Sequence, residues 1–312
     1  MHADGREKLT VPAAITEAAV GARAVSVLRG DVESLLYEAV ADKVRIRFAT
    51  TVRAVDEHAD GIRAELSDGT RIDADLLIGA DGVHSGIRDL VFGTGNDHLV
   101  DMRTVVAAFP LGALPDQVPA GVGTTYIGPG RTAAVMNLGS GRSSAFFTYR
   151  SADPEAEVAR GPVAALTGAF GDLGGGVAEA LTQLEKDPGS AYFDSISQVT
   201  LAEWSRRRVV LLGDAAWCVT VFAGYGAALA LDGADRLGAV SAPGTDIDAA
   251  LAAWEAELRP EVVERQALAR RGMVRYLPPT RAHVWLNEAM MRAIQLPGPR
   301  GLVRNAVRRA NN

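Results

Sequence analysis

The stretch VVLLGDAAWCVTVFAGYGAALAL, Val209 to Leu231, constrains this chain more than any other. It is long and apolar enough to cross a bilayer, and Arg206, Arg207 and Arg208 precede it. A membrane span of about 20 residues tolerates charge and helix-breaking turns poorly at its centre. Gly213-Asp214 and Gly224-Tyr225-Gly226 divide this one into a β-branched run, a glycine-bounded loop and an Ala/Leu-rich run. That pattern predicts strand, turn and helix, so no membrane partner is expected.

The rest of the sequence narrows the class. Its 312 residues are 48% hydrophobic and 22% charged, which predicts a globular protein with ample core. A net charge of −6 lacks the basic footprint of a nucleic-acid partner, and the runs RQALARRG and RNAVRRA read as solvated helix faces. The single cysteine, Cys218, excludes an intrachain disulfide, and MHADGREKLT lacks the apolar core of a secretory signal. A cytoplasmic location is the expectation.

Periodicity orders the elements. ARAVSVL (22–28) predicts a strand, and DVESLLYEAVAD a helix with Asp31 as N-cap and Val32, Leu35, Leu36 and Ala39 on one face. VRIRFATTVRAVDEH alternates, and Asp68-Gly69 turns a hairpin. DLLIGA reads as a strand buried on both faces, followed by a short helix opened by Ser85. Between about Arg103 and Tyr149 the texture becomes short alternating strands, TVVAAF, TTYIG, TAAVMNL and SSAFFTY, as in an inserted antiparallel sheet. GDLGGG (171–176) reads as a loop, RVVLLG as a strand, and a helix starts at Tyr225. DIDAALAAWEAELRPEVVERQALARRG predicts a long helix kinked at Pro260.

LLIGADGVHSGIR and RVVLLGDAAW share a design: a buried strand ends in glycine and aspartate at the transition to a helix, where open α/β sheets bind ligands. Glycine admits a ligand close to the backbone, and a carboxylate accepts hydrogen bonds from hydroxyl groups. The helix after Gly224-Tyr225-Gly226 offers unpaired amides at its start. His84 reads as surface and Cys218 as a buried small hydrophobe. No catalytic triad or metal-ligand spacing is found.

Together the two turns resemble the FAD-dependent aromatic hydroxylases, flavoprotein monooxygenases of the para-hydroxybenzoate hydroxylase type. The family pattern Asp-Gly-x-x-Ser-x-x-Arg is met by Asp81, Gly82, Ser85 and Arg88, and Gly-Asp-Ala-Ala by Gly213, Asp214, Ala215 and Ala216. The glycine turn at Gly224 and Gly226 follows, and Arg29 resembles the arginine before the family's first long helix. The resemblance implies a mixed α/β fold, a Rossmann-like FAD-binding domain of the glutathione-reductase type with an inserted antiparallel-sheet substrate domain. Its expected divisions are 1–98 and 201–312 for the FAD domain and 99–200 for the insert.

It further implies an FAD-dependent monooxygenase that uses NAD(P)H and O2 on an aromatic or polyketide-like small molecule, the flavin carrying the chemistry. Arg29, Asp81, Gly82, Arg88, Gly213, Asp214, Ala215, Gly224, Gly226 and Ala227 would hold the cofactor, Asp214 at the ribityl chain and the amides from Gly224 to Ala227 at the isoalloxazine. Met136, Phe146 and Phe147 would either line the substrate or fill the sheet core, with core expected.

The sequence also departs from the family. Trp217 stands where histidine is frequent and Val221 where proline is frequent; Trp217 packs either on flavin or, as expected, in core. No Gly-x-Gly-x-x-Gly occurs, so an N-terminal truncation that omits the dinucleotide βαβ unit is expected. A noncatalytic remnant, or a flavin-dependent reductase without oxygen insertion, are the alternative functions.

Overall fold

The computed structural model describes residues 1–10, 29–58, 61–93, 96–113, 115–139, 142–240 and 245–295; the strand expected at 22–28 lies outside them. The chain forms two units, one of residues 1–6 and 52–284 and one of residues 7–51 and 285–312.

In the second unit, helix α1 spans Arg29–Val40. It starts two residues before Asp31, which therefore lies in the first turn, where a negative charge suits the helix dipole, and is not the N-cap. The expected apolar face is not buried: Val32 is half-buried, and Leu35, Leu36 and Ala39 are exposed.

The first unit holds three sheets. Strands β1 (Val52–His58), β2 (Gly61–Leu66) and β3 (Arg71–Ala74) form an antiparallel meander, with β2 and β3 joined through Asp68-Gly69. The alternation expected from Val44 becomes a strand only from Val52. Gly69 has φ +81°, a conformation costly for any residue with a Cβ. Strand β4 (Leu77–Gly79) leads to helix α2 (Gly86–Phe92).

The five-stranded sheet consists of β5 (Leu99–Pro110), β6 (Val122–Gly128), β7 (Arg131–Asn137), β8 (Ser144–Arg150) and β9 (Tyr192–Val199), in the antiparallel order β6-β7-β8-β5-β9. Helices α3 (Pro154–Ala159), α4 (Pro162–Phe170) and α5 (Gly176–Lys186) separate β8 from β9 in sequence. Beyond β9 come β10 (Ser205–Arg206), β11 (Val209–Leu211), the one-turn helix α6 (Asp214–Trp217), and helices α7 (Gly226–Val240), α8 (Ile247–Tyr276) and α9 (Arg281–Gln295). Helix α8 runs as one helix through Pro260. No helix among the described residues is long and apolar enough to cross a membrane.

Strand β11 pairs antiparallel with β10 and parallel with β4, placing Val209, Val210 and Leu211 opposite Leu77, Ile78 and Gly79. Among the described residues β4 pairs with β11 alone, so it is an edge strand. Ile78 is 46% exposed, which corrects the expectation of burial on both faces.

The core around this sheet contains Trp204, Trp217 and Trp254, with ring centroids 4.5 to 5.8 Å apart, together with Leu229, Leu251 and Leu258. Trp217 is thus core, only 1% exposed. Gly233 lets α7 lie against it, since a Cβ there would stand 3.1 Å from both Trp217 and Leu258.

The five-stranded sheet buries its two faces differently. Val105, Ala107, Ala133, Val135, Ala145 and Phe147 pack on Leu166 and Phe170 of α4 and on Val177, Leu181 and Leu184 of α5. On the opposite face Val106, and half-buried Phe146, meet Phe222, Ala269 and Leu277. The two adjacent phenylalanines therefore have different fates, as the alternation of a strand requires. Phe147→Ala is expected to cost about 3 to 5 kcal/mol. Phe146→Ala should cost roughly 1 to 2 kcal/mol, because a half-buried ring has less transfer free energy to lose. Urea unfolding midpoints at unchanged slope check this, and equal losses would contradict the assignment of faces.

Candidate cofactor-binding site

Parallel pairing of β4 with β11 brings the two Gly-Asp turns together. Gly79 ends one strand and Leu211 the other, directly opposite each other, and Leu212 N–H donates to the Gly79 carbonyl at 2.9 Å. Asp81 and Asp214 thus stand just beyond the carboxyl ends of neighbouring strands, as expected for a shared ligand crevice. Both are exposed.

The first turn is built by its own side chains. Gly82 has φ +84°, and nothing lies within 4 Å of a Cβ built on it. Ser85 caps α2 by accepting from the Arg88 amide at 3.0 Å. Its hydroxyl donates to Asp81, whose other carboxylate oxygen accepts from the Ile87 amide at 3.1 Å. This is helix capping extended by one residue, with the carboxylate at the positive end of the helix.

Arg88 is buried at 3% exposure and spans both turns. Its guanidinium donates to the Val83 carbonyl at 2.7 Å and to the Ala215 carbonyl at 3.0 Å. Burial pulls its pKa below the ordinary arginine value, opposed by Asp89 and Asp81. Its Nε has no partner among the described residues. The guanidinium therefore serves as a tie between the turns.

Gly213 adopts φ +64° as the N-cap of α6, and a Cβ there would approach Ala230 of α7 to 3.3 Å. Ala215 and Ala216 are fully buried beneath the turn. Burial, and then the Asp214 carboxylate, push the Cys218 thiol up to about 12. Thr220 has φ +72° and ψ 161°, a region a β-branched residue occupies only under strain of about 1 to 3 kcal/mol, and its buried hydroxyl has no partner among the described residues.

The chain then passes through a 3-10 turn, Val221–Ala223, to Gly224 in the left-handed conformation, with open space where a Cβ would be. The first carbonyl bond of α7 runs from Leu229 N–H to Tyr225, so the amides of Gly226, Ala227 and Ala228 precede the helical ladder. Tyr225 is stacked under Arg265 of α8, 4.1 Å from guanidinium carbon to ring centre. His84 is 61% exposed, and its Nε2 lies 2.9 Å from Asp194 Oδ2 on β9. Arg29 is exposed at the start of α1, in the other unit.

The donor set suits a group with hydroxyls on one side and an electron-rich edge on the other. Exposed carboxylates accept from hydroxyls, amides at a helix start donate to carbonyl or anionic edges, and the unobstructed backbone at Gly82 and Gly224 admits a flat group. FAD has these features, and the residues fit it.

Two buried glutamines went unnoticed in the sequence. Gln266 of α8 is 7% exposed and Gln198 of β9 is fully buried. Gln266 donates to the carbonyls of Val199, Trp217 and Cys218 at 2.8, 3.3 and 3.4 Å. The available signal was its phase: it follows Leu251, Trp254, Leu258 and Val262 on the buried stripe of α8.

Residues 6–242 match the family model described as FAD binding domain. The FAD-dependent monooxygenase asL4 of Sarocladium schorii is 30% identical over 67% of this chain and 50% of its own. Among solved structures, tetracycline destructase Tet(55) superposes with a TM-score of 0.71 at 26% identity, over 85% of this chain and 71% of that one. Klebsiella pneumoniae HpxO, complexed with FAD and uric acid, gives 0.70 at 26% identity, over 90% and 71%. The chain spans 50% to 69% of the length of curated relatives it matches. It belongs to the FAD binding domain family, in which its paired Gly-Asp turns had placed it.

Proposed function

We propose that the protein is a flavin-dependent monooxygenase acting on an aromatic or polyketide-like small molecule, with NAD(P)H as electron donor and O2 as co-substrate. The observation that carries this reading is the pair of Gly-Asp turns on adjacent parallel strands, tied by Arg88 and followed by the open start of α7. Relatives supply the chemical precedent: asL4 is an FAD-dependent monooxygenase, and HpxO is complexed with FAD and uric acid. The FAD domain would comprise 1–98 and 201–312, and the substrate domain 99–200.

FAD, when bound and reduced, supplies the two electrons with which one atom of O2 enters the substrate and the other leaves as water. In this reading the chain binds and orients. Asp214 accepts from ribityl hydroxyls, and the backbone around Gly82 lets the cofactor approach the first turn. The amides of Gly226 and Ala227 face the electron-rich ring edge, while the Gly224 N–H, expected to do the same, already donates to the Val221 carbonyl at 3.1 Å and Gly224 offers only its open backbone. Ala215 lies under the turn through which Gly213 brings Asp214 to the crevice. Arg88 acts from below by fixing both turns. Substrate lies against the sheet face that carries Phe146 and Met136, since Phe147 is committed to the opposite core.

Asp214→Ala removes a charged acceptor worth about 1.5 to 3 kcal/mol, so FAD affinity should fall by roughly 10- to 100-fold. Apo-protein stability should change less, because the carboxylate is exposed. Flavin fluorescence titration beside thermal melting measures both, and unchanged affinity would remove Asp214 from the cofactor site.

Cys218 is expected to carry no thiol chemistry, and its titration gives a test. The folded thiol titrates near 12, against 9.0 for an ordinary cysteine, so the fold favours the neutral form. The stability this provides is complete below pH 9 and is lost as pH rises from 9 towards 12. The wild-type melting temperature should therefore fall more steeply above pH 9 than that of Cys218→Ser, whose hydroxyl does not titrate there. Parallel profiles would show that the buried thiol is not the titrating group.

A further inference from the structure

We infer that Gln266 is a positioning residue for the Asp214 turn, acting with Gln198 and Arg270; this rests on the reading of Asp214 as a cofactor contact. Helix α6 is a single turn, so its last carbonyls have no helical donors and need partners from elsewhere. Arg88 takes the Ala215 carbonyl. Gln266 takes the carbonyls of Trp217 at 3.3 Å and Cys218 at 3.4 Å, and also holds the Val199 carbonyl at 2.8 Å. An amide nitrogen has two protons, so the shortest bond uses one and the carbonyls of Trp217 and Cys218 share the other.

Gln198 extends the set. Its amide nitrogen donates to the Gln266 backbone carbonyl at 3.0 Å and reaches the Val219 carbonyl at 3.5 Å, while its oxygen accepts from Arg270 at 2.5 Å. The Val199 amide donates to the Cys218 carbonyl at 3.3 Å. Three consecutive carbonyls, 217 to 219, are thus fixed by two buried glutamines from elements distant in sequence. Asp214 opens the one-turn helix that this segment closes, with Trp217 N–H donating back to the Gly213 carbonyl at 3.0 Å. A shift of the segment would carry that turn with it, so the network sets where Asp214 stands.

The single cysteine makes the segment's position measurable without any flavin. Native Cys218 would be labelled with a disulfide-exchange reagent in wild type, in Gln266→Met, in Arg270→Met and in Leu184→Ala. The last removes core between α5 and the five-stranded sheet and serves as a control for lost stability. FAD titration of the same proteins and of Asp214→Ala would run beside it, below the lowest melting temperature.

Gln266→Met is expected to label at least tenfold faster than Leu184→Ala and to bind FAD at least tenfold more weakly. Arg270→Met, at the exposed end, should show a two- to fivefold effect on labelling and serves alone if Gln266→Met does not fold. Labelling of the network variants no faster than the control overturns the inference. If Asp214→Ala loses FAD affinity and Gln266→Met retains it, the inference fails and the cofactor reading stands. If labelling accelerates while Asp214→Ala binds FAD normally, the network positions the turn but the cofactor reading fails.

Discussion

The site depends on one buried guanidinium. The parallel pairing of β4 and β11 covers three residues of each strand, too little to fix two loops that end in exposed carboxylates. Arg88 supplies the missing constraint by donating to Val83 in one loop and Ala215 in the other. Burying a positive charge is costly, and two carbonyl bonds offset only part of the cost, as the depressed pKa records. The arrangement persists because removing the side chain would leave two buried acceptors unpaired and separate the turns. Here the planar fork of arginine matters more than its charge, since it must reach two carbonyls at once.

The two aspartates are not equivalent. The carboxylate of Asp81 already accepts from Ser85 and Ile87, so it mainly shapes its own turn. Asp214 heads a one-turn helix whose carbonyls are bound by Arg88 and Gln266 instead of a following turn. Its position is therefore set from outside, through the carbonyls of the turn it opens. The strained backbone of Thr220 directly follows the carbonyls that Gln266 and Gln198 hold. Strain of this size survives only where surrounding contacts over-determine the chain.

Much of this was legible because it is local. Asp68-Gly69, Ser85, the four alternating strands and the two Gly-Asp turns each carry their own signal in neighbouring residues. What could not be read depends on partners far along the chain. Strand β9 alternates poorly, since Asp194, Ser195, Ser197 and Gln198 each answer to a different neighbour, and so it was missed. The exposure of Ile78 and of the α1 leucines reflects which faces find a partner, which an apolar run does not specify. Arg88 was readable as a motif residue but not as a tie, because Ala215 lies 127 positions away.

Besides the bonds of β9 to the carbonyls of Cys218 and Val219, the five-stranded sheet meets the turns through Phe222 and through His84. Phe222, in the 3-10 turn just before Gly224, is buried against Val106 and close to Phe146 on one sheet face. His84, in the Asp81 turn, reaches Asp194, which the strand register places opposite Val106. One contact is apolar and buried, so it resists displacement; the other is polar and exposed, and an exposed pair of this kind is worth about 1 kcal/mol or less. Of these two contacts the one at His84 is therefore the weaker, and the Asp81 turn is held chiefly by Arg88, through the Asp214 turn that β9 itself bonds.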